Sequence, residues 1–127
     1  MSTKILIVED SNIISEHYTK KLSLLGYSIK QSFDGVDALK LIRNFKPNIV
    51  LLDDDIPKKT GMEVLRDIKN NPKTKHICVI MFTVWGFNDE MKQAKELGVD
   101  EFIRKPIKPN EMIKIIEKQA KKIIKKS

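Results

Sequence analysis

The sequence predicts an α/β domain in which a parallel sheet carries helices on both of its faces. Five short apolar runs alternate with five segments of helical spacing, without internal repeats or low-complexity segments. This alternation favours parallel strands, because each strand returns to the sheet through a helix. The apolar runs in the middle of the chain are continuous, which is typical of strands buried on both faces. The length of 127 residues fits one domain, so residues 1–127 are expected to form a single unit.

The predicted elements follow one another along the whole chain. In the helical segments apolar residues recur every three or four positions, and glycine, asparagine or proline closes most of them. The strands are expected at residues 4–8, 27–32, 48–53, 77–82 and 99–104, and the helices at residues 12–25, 36–44, 61–70, 88–97 and 110–124.

The third strand runs into an unusual group of charges. Its apolar residues 49–52 are followed directly by three carboxylates, residues 53–55. Carboxylates this close repel one another, so such a group usually needs a cation or a shared proton. Neighbouring side chains on a strand point to opposite faces, so Asp53 and Asp54 are not expected to face the same site. A charged turn that caps a core strand is the alternative interpretation of this segment alone.

Polar residues also follow the other strands. In the flavodoxin-like, doubly wound strand order 2-1-3-4-5, ligands bind beyond the carboxyl ends of the strands, where the strand order reverses. Strands one and three flank that point. The residues expected to meet there come from four separate segments: Glu9, Asp10, Asp53, Thr83, Lys105 and Pro106.

These residue types are suited to phosphoryl chemistry. A few hard oxygen ligands suit Mg²⁺ that retains several of its waters. An ammonium group and a hydroxyl could hold the oxygens of a phosphoryl group. A carboxylate in the same site could accept that group covalently.

Four motifs at these strand ends carry a resemblance to a known family. They are ILIVED (residues 5–10), LLDDDIPKKTG (51–61), VIMFT (79–83) and GVDEFIRKP (98–106). Together they resemble a response regulator receiver domain of two-component signalling, and the chain is similar to the stand-alone, CheY-like chemotaxis regulator. In that family a proline comes four residues after the phospho-accepting aspartate and a glycine comes eight residues after it. Pro57 and Gly61 therefore select Asp53 as the acceptor.

The resemblance implies a phosphoprotein that forms an aspartyl phosphate. Asp53 would accept the phosphoryl group from the phosphohistidine of a sensor histidine kinase or a phosphotransfer protein. Asp10, Asp53 and the backbone carbonyl of Asp55 would hold Mg²⁺, and Glu9 would support the ion through bound water. Such a chain is a phospho-acceptor that catalyses its own phosphorylation and dephosphorylation, and it is not a conventional enzyme.

The resemblance also implies a switch. Lys105 would pair with the phosphoryl oxygens, Thr83 would donate its hydroxyl to one of them, and Phe102 would follow Thr83 inward. The fourth helix, fifth strand and fifth helix would thereby change their surface and bind a downstream protein target. The bond between Lys105 and Pro106 would be the cis peptide bond of the family.

Three residues are expected to tune the lifetime of the phosphoryl group. Val84 stands where the family usually has a small residue, and a β-branched side chain there could crowd the access route. Asp55, two residues after the acceptor, adds a further negative charge. Trp85, two residues after Thr83, is expected to shield the site and to slow dephosphorylation.

Charge and composition leave two alternative functions open. Residues 104–127 contain 9 Lys and Arg against 2 Glu, and so hold the whole net charge of +7. A basic helix could contact nucleic acid, an anionic membrane or an acidic partner. A solvated lysine-rich face is favoured, since this segment has no aromatic residues for base stacking. The Asp-x-Asp pair within residues 53–55 gives the other alternative, a Mg²⁺-dependent phosphohydrolase.

Location and the remaining reactive residues follow from simple patterns. No apolar run approaches the about 18 residues of a membrane span, and no signal-peptide pattern is present, so a cytoplasmic protein without membrane insertion is expected. The chain stops at Ser127, so a stand-alone receiver is expected, with a piece of a longer regulator as the alternative. Cys78 is expected to be a buried, redox-inactive side chain. His17 and His76 are expected to be ordinary surface or helix residues.

Overall fold

The computed structural model describes residues 3–84 and 87–126. Five parallel strands form one sheet in the order β2-β1-β3-β4-β5, which confirms the predicted fold class and strand order. The elements are β1 (Lys4–Val8), α1 (Asn12–Leu24), β2 (Ser28–Ser32), α2 (Gly35–Phe45), β3 (Ile49–Asp53), α3 (Gly61–Lys69), β4 (Cys78–Thr83), α4 (Phe87–Leu97), β5 (Glu101–Arg104) and α5 (Pro109–Lys126).

The central strands are buried because helices cover both faces of the sheet. Successive residues of one strand point to opposite faces, so Leu6 and Val50 join an apolar cluster with α2, α3 and α4. Ile5 and Ile49 join a second cluster with α1 and α5. The two helical layers leave the ends of the strands open. The backbone and side chains at the strand ends are therefore the parts of the sheet that a ligand can reach.

Side chains at the helix starts fix where several helices begin. The Ser11 hydroxyl accepts a hydrogen bond from the Ile14 N–H at the start of α1. The Asp34 carboxylate accepts a hydrogen bond from the Asp37 N–H at the start of α2. Thr60 and Glu63 form a reciprocal capping box at the start of α3. Such caps satisfy backbone N–H groups that have no partner within the helix.

The start of β5 lies two residues after its predicted position. The strand begins at Glu101, whereas the apolar pattern predicted Val99. Gly98 has φ +97° and reverses the chain after α4. The Val99 N–H then donates to the Ala94 carbonyl, so Val99 still belongs to the end of that helix. A local periodicity cannot distinguish an apolar residue of a helix end from the first residue of a strand.

Two predictions about single elements agree with the structure. Cys78 is buried at the start of β4, and burial first, then the nearby Asp100, raises the pKa of its thiol to about 12. The apolar stripe of α5 packs on the sheet through Met112, Ile116 and Ala120.

Within the described residues, no helix combines the length and the apolar character that crossing a lipid bilayer requires.

Candidate functional site

Three carboxylates meet at the carboxyl ends of two adjacent strands. Glu9 and Asp10 follow β1 directly, and Asp53 is the last residue of β3, which pairs with β1. One carboxylate oxygen from each of the three lies within 4.8 Å of the others. Glu9 is 2% exposed and Asp53 is 5% exposed, whereas Asp10 faces solvent. Residues that are 43 positions apart in the chain thus form one acidic site.

Lys105 supplies a positive charge to this site from the other side. Its backbone N–H donates to the Thr83 carbonyl at 2.9 Å, which holds the start of the β5–α5 loop against the end of β4. Its Nζ lies 3.2 Å from Oδ2 of Asp53 and 3.6 Å from Oε2 of Glu9. The peptide bond between Lys105 and Pro106 is cis. One ammonium group therefore faces two buried carboxylates.

The charge balance at Glu9 shows that the site can take a further cation. Burial first, and the adjacent Asp53 carboxylate second, raise the pKa of Glu9 to about 8, while Lys105 acts in the opposite direction. The Oε2 atom of Glu9 is buried and accepts no hydrogen bond from the described residues. A buried oxygen without a donor is costly unless water or an ion satisfies it. The three carboxylates, with this oxygen 3.6 Å from the Lys105 ammonium, fit a hard divalent cation that keeps some of its waters.

The loop after β3 separates the three consecutive aspartates. Oδ1 of Asp53 accepts a hydrogen bond from the Asp55 N–H at 3.2 Å. Oδ1 of Asp54 instead accepts from the Met62 N–H at 2.9 Å, at the start of α3. On that side, burial and the neighbouring Asp54 raise the pKa of Glu90 in α4. Asp53 and Asp54 therefore face different surroundings, as the strand alternation predicted.

Gly61 has a steric role in the same loop. A Cβ atom at this position would overlap the backbone carbonyl oxygen of Asp53, and the Gly61 N–H donates to the Asp54 carbonyl at 3.0 Å. The start of α3 can lie this close to the acceptor strand only without a side chain. The glycine that served as a spacing marker in the sequence is thus required by the geometry of the site.

A second glycine contact was missed by the sequence analysis. Gly35, at the start of α2, donates its N–H to the Pro57 carbonyl at 3.1 Å. A Cβ atom there would overlap the carbonyl oxygen of Lys59. By itself, the pair Asp34-Gly35 between a strand and a helix indicates only a turn. Its contact with the β3–α3 loop depends on two segments that are adjacent in space but distant in sequence, so no local pattern could reveal it.

The predicted switch residues lie on the strands beside the site. Thr83 is the last residue of β4 and is buried, and Val84, which follows it, is 54% exposed. Phe102 in β5 is half-buried and packs against the cluster on the α2–α4 side. The prediction for Trp85 concerns a residue outside the described part of the chain.

Phe82, beside Lys105, was not identified from the sequence. Its ring centroid lies 4.5 Å from the Lys105 Nζ, close enough for a cation–π contact. Phe82 is the β4 residue paired with Asp53, so the strand register could have indicated it. His17 is an exposed residue of α1, in agreement with the prediction, and it lines a groove of about 370 Å³ that also contains Lys105 and the exposed Ile13.

Comparison with known proteins agrees with this arrangement. The family described as the response regulator receiver domain matches residues 5–117. The phosphate regulon transcriptional regulatory protein PhoB of Pseudomonas aeruginosa is 35% identical over 109 residues, which cover 86% of this chain and 48% of PhoB. The chain thus spans about half the length of that relative. The polar-differentiation response regulator DivK of Brucella anthropi is 27% identical over 117 residues, covering 92% of this chain and 95% of DivK.

Solved structures show the same architecture. A CheY-like receiver domain protein from Methanospirillum hungatei JF-1 has a TM-score of 0.93 at 24% identity, with both chains covered completely. The group of Glu9, Asp10 and Asp53 is typical of the Mg²⁺ site of receivers. Receiver domains are phospho-acceptors that partner with histidine kinases, and the acidic pocket of this chain is the site that the family uses for phosphorylation. The chain belongs to the response regulator receiver domain family of two-component signalling.

Proposed function

We propose that Asp53 is the residue that carries the phosphoryl group. The observation that supports it best is the position of its two oxygens. Oδ1 is held by the Asp55 N–H, and Oδ2 lies 3.2 Å from the Lys105 ammonium. Asp54 is engaged by the start of α3, and the Asp55 side chain is exposed. Of the three consecutive aspartates, Asp53 is the one that faces both Lys105 and the carboxylates after β1.

The proposed reaction is an in-line transfer to this carboxylate. An oxygen of Asp53 forms a bond to phosphorus while the bond from phosphorus to the donor's histidine nitrogen breaks. The donor imidazole keeps the electron pair of that bond. Lys105 pairs with the phosphoryl oxygens, and the hydroxyl of Thr83 donates to one of them. The protein contributes mainly the position of the reacting groups and electrostatic stabilisation, as is general for phosphoryl transfer.

The acidic residues would hold the metal ion that this transfer uses. Asp10, Asp53 and the backbone carbonyl of Asp55 would bind Mg²⁺, and Glu9 would support it through bound water. When bound, the ion neutralises the charge that develops on the phosphoryl oxygens. The buried Glu9 oxygen that accepts no hydrogen bond from the described residues and the proximity of the three carboxylates support this assignment.

We further propose that the surface formed by α4, β5 and α5 carries the signal. Thr83 ends β4 beside the site, and the next strand contributes the half-buried Phe102. An inward shift of Thr83 would open space for Phe102 to follow, and the surface that a downstream protein contacts would change. The added negative charge thereby biases a two-state surface.

The donor would approach along the groove beside Lys105. This groove contains Ile13, which is 84% exposed, together with His17 and the turn at Pro106. Most of the residues that line the groove are apolar, and a contiguous apolar surface next to a charged site is typical of a surface that binds protein. A histidine kinase or a phosphotransfer protein would dock there, in the cytoplasm, with residues 1–127 acting as one receiver domain.

The expected lifetime residues give a test of their own. Asp55 and Val84 are exposed beside the site, and we propose that they, with Trp85, set the rate at which water removes the phosphoryl group. If Trp85 shields the site, Trp85→Ala should shorten the half-life of the phosphorylated chain several-fold, measured by loss of the phosphorylated mass. An unchanged half-life would reject the shielding role.

The alternative of nucleic-acid binding finds less support. The apolar stripe of α5 is occupied by the sheet, and its exposed lysines lie on the opposite side of the helix. Salt-dependent binding of the chain to DNA would support the nucleic-acid-binding alternative.

Mass spectrometry after phosphorylation by a small donor tests the acceptor directly. The chain is incubated with Mg²⁺ and acetyl phosphate, and peptide mapping locates the added mass. We expect one phosphoryl group per chain on Asp53, and none in Asp53→Asn. Asp54→Asn is the matched control and should still be phosphorylated. Modification of Asp54 or Asp55 in the wild type, or steady turnover without a stable adduct, would contradict the proposal and favour a phosphohydrolase.

A further inference from the structure

A second cavity lies at the opposite end of the sheet from the acidic site. It has a volume of about 670 Å³ and opens between residues 42–48 and residues 71–77. The first segment is the end of α2 with the loop to β3, and the second is the loop from α3 to β4. We refer to it as the basal cavity. Its volume lies within the range of small-molecule sites in proteins, about 300–1,000 Å³.

The basal cavity is bordered by cations that have no counter-charge. The cations are Arg43, Lys46 and Lys73; His76 also lines the cavity, and none of the described residues that line it is acidic. Within the described part of the chain, none of these four side chains forms an ion pair. Converging positive charges without a partner attract an anionic ligand.

The two asparagines of the cavity add neutral hydrogen-bond donors. Oδ1 of Asn48 accepts from the Lys4 N–H at 2.8 Å, and Oδ1 of Asn71 accepts from the Lys73 N–H at 3.0 Å. Each amide oxygen is therefore engaged, which leaves the NH₂ group of each side chain as a donor. Among the residues that the structure describes, neither NH₂ group has a hydrogen-bond partner. The cavity thus offers donors to a ligand that is rich in acceptors.

The ends of the helices explain only some of these charges. Cations near a helix C-terminus are stabilised by the helix dipole, and Arg43 lies in the last turn of α2. At the end of α3, the Asn70 N–H donates to the Arg66 carbonyl and the Thr74 hydroxyl donates to the Ile68 carbonyl. Lys73, on the far side of the cavity, is therefore not needed to satisfy these carbonyls.

The floor of the cavity is apolar. Ile42, Pro47 and Ile77 are buried beneath the charged rim. A ligand that fits both parts carries several negative charges and a flat or apolar group. We propose that the basal cavity binds a small phosphorylated ligand with the chemistry of a nucleoside triphosphate. This site lies at the other end of the sheet from Asp53, and it does not depend on the proposed phosphorylation.

An NMR titration can locate the binding site. The ¹⁵N-labelled, unphosphorylated chain is titrated with sodium ATP in buffer that contains EDTA, so that no divalent ion occupies the acidic site. Parallel titrations use tripolyphosphate and adenosine. We expect the largest amide shifts within residues 42–48 and 71–77, and weak or absent shifts with adenosine. If tripolyphosphate binds as tightly as ATP, the charged rim alone accounts for binding, and the ligand is assigned as a polyphosphate without a nucleoside.

Charge-reversal variants separate a site from general attraction to a basic protein. The double variant Arg43→Glu with Lys73→Glu should weaken ATP binding at least about tenfold, since two charge-assisted contacts are lost. The control, Lys114→Glu with Lys121→Glu on the outer face of α5, makes the same change in net charge and should have less than about a twofold effect. Shifts centred on α5, equal loss in the control, or preferential binding of adenosine would overturn the proposal.

Discussion

The two ends of the sheet carry opposite charges and hold them in opposite ways. At the carboxyl end, the carboxylates of Glu9 and Asp53 are buried and share one ammonium group, that of Lys105. At the basal end, the cations of Arg43 and Lys73 are exposed and have no counter-charge within the described residues. Burying a charge is costly unless it is paired. The acidic end is therefore poised to accept a cation or a phosphoryl group, whereas the basal end loses little when it is empty.

Backbone packing at the acidic end should give the largest effect on stability. In Gly61→Ala the new Cβ would overlap the Asp53 carbonyl, and we expect a loss of about 3 kcal/mol in the free energy of unfolding. Urea denaturation measures it. The control is Gly26→Ala, where φ is +95° but no atom lies within 4 Å. That change should cost about 1 kcal/mol, from backbone conformation alone. Equal losses would show that the two segments can move apart without strain.

The pH dependence of the metal-free chain tests the buried charge itself. The pKa of Glu9 is raised to about 8 in the folded chain, so the folded state holds a proton that the unfolded state releases near pH 4.5. Stability should therefore fall steadily as the pH rises from about 4.5 to about 8. Urea denaturation in EDTA at several pH values measures this decline.

Substitution of Glu9 should remove that decline. Glu9→Gln cannot ionise, so its unfolding free energy should vary less over the same pH range. Glu96→Gln, which replaces an exposed glutamate of α4, is the control and should keep the wild-type slope. A wild-type slope in Glu9→Gln would mean that another group in the site is responsible.

Two lysines at the basal end should differ in a smaller but measurable way. Lys69 donates to the Ile77 carbonyl at 2.7 Å and pairs with Asp100 at 3.1 Å. Lys69→Met leaves those groups without their partner and should cost about 2 kcal/mol. Lys73→Met, whose side chain pairs with none of the described residues, should change stability by less than about 0.5 kcal/mol. Comparable losses would contradict the distinction between a paired and an unpaired basal charge.

The difference between the two ends also explains what could be predicted from the sequence. The acidic residues follow apolar strands directly, so the parallel topology alone predicts that they meet. The spacing of Pro57 and Gly61 after Asp53 then resembled a family pattern. The cations that line the basal cavity do not directly follow an apolar strand, so the topology does not predict that they meet. They lie at the end of α2 and in the loop after α3, two segments that come together only in the folded chain.

Close contacts between distant segments could not be predicted from the sequence for the same reason. Periodicity locates a strand or a helix, but it does not report how near two loops approach. The contact of Gly35 with the β3–α3 loop and the position of Phe82 beneath Lys105 became visible only with the register of the strands. The boundary of β5 was wrong by two residues, because a glycine turn at Gly98 extends the end of α4.

The contact between Lys69 and Asp100 has a mechanical consequence. Through Lys69 the carbonyl of Ile77 is tied to α3, and the Asp100 carboxylate accepts the N–H of Val79. These contacts hold the starts of β4 and β5 together at the basal end of the sheet. A ligand that binds at the acidic site would therefore displace these strands chiefly at their carboxyl ends, beside Thr83 and Lys105, and not at their starts.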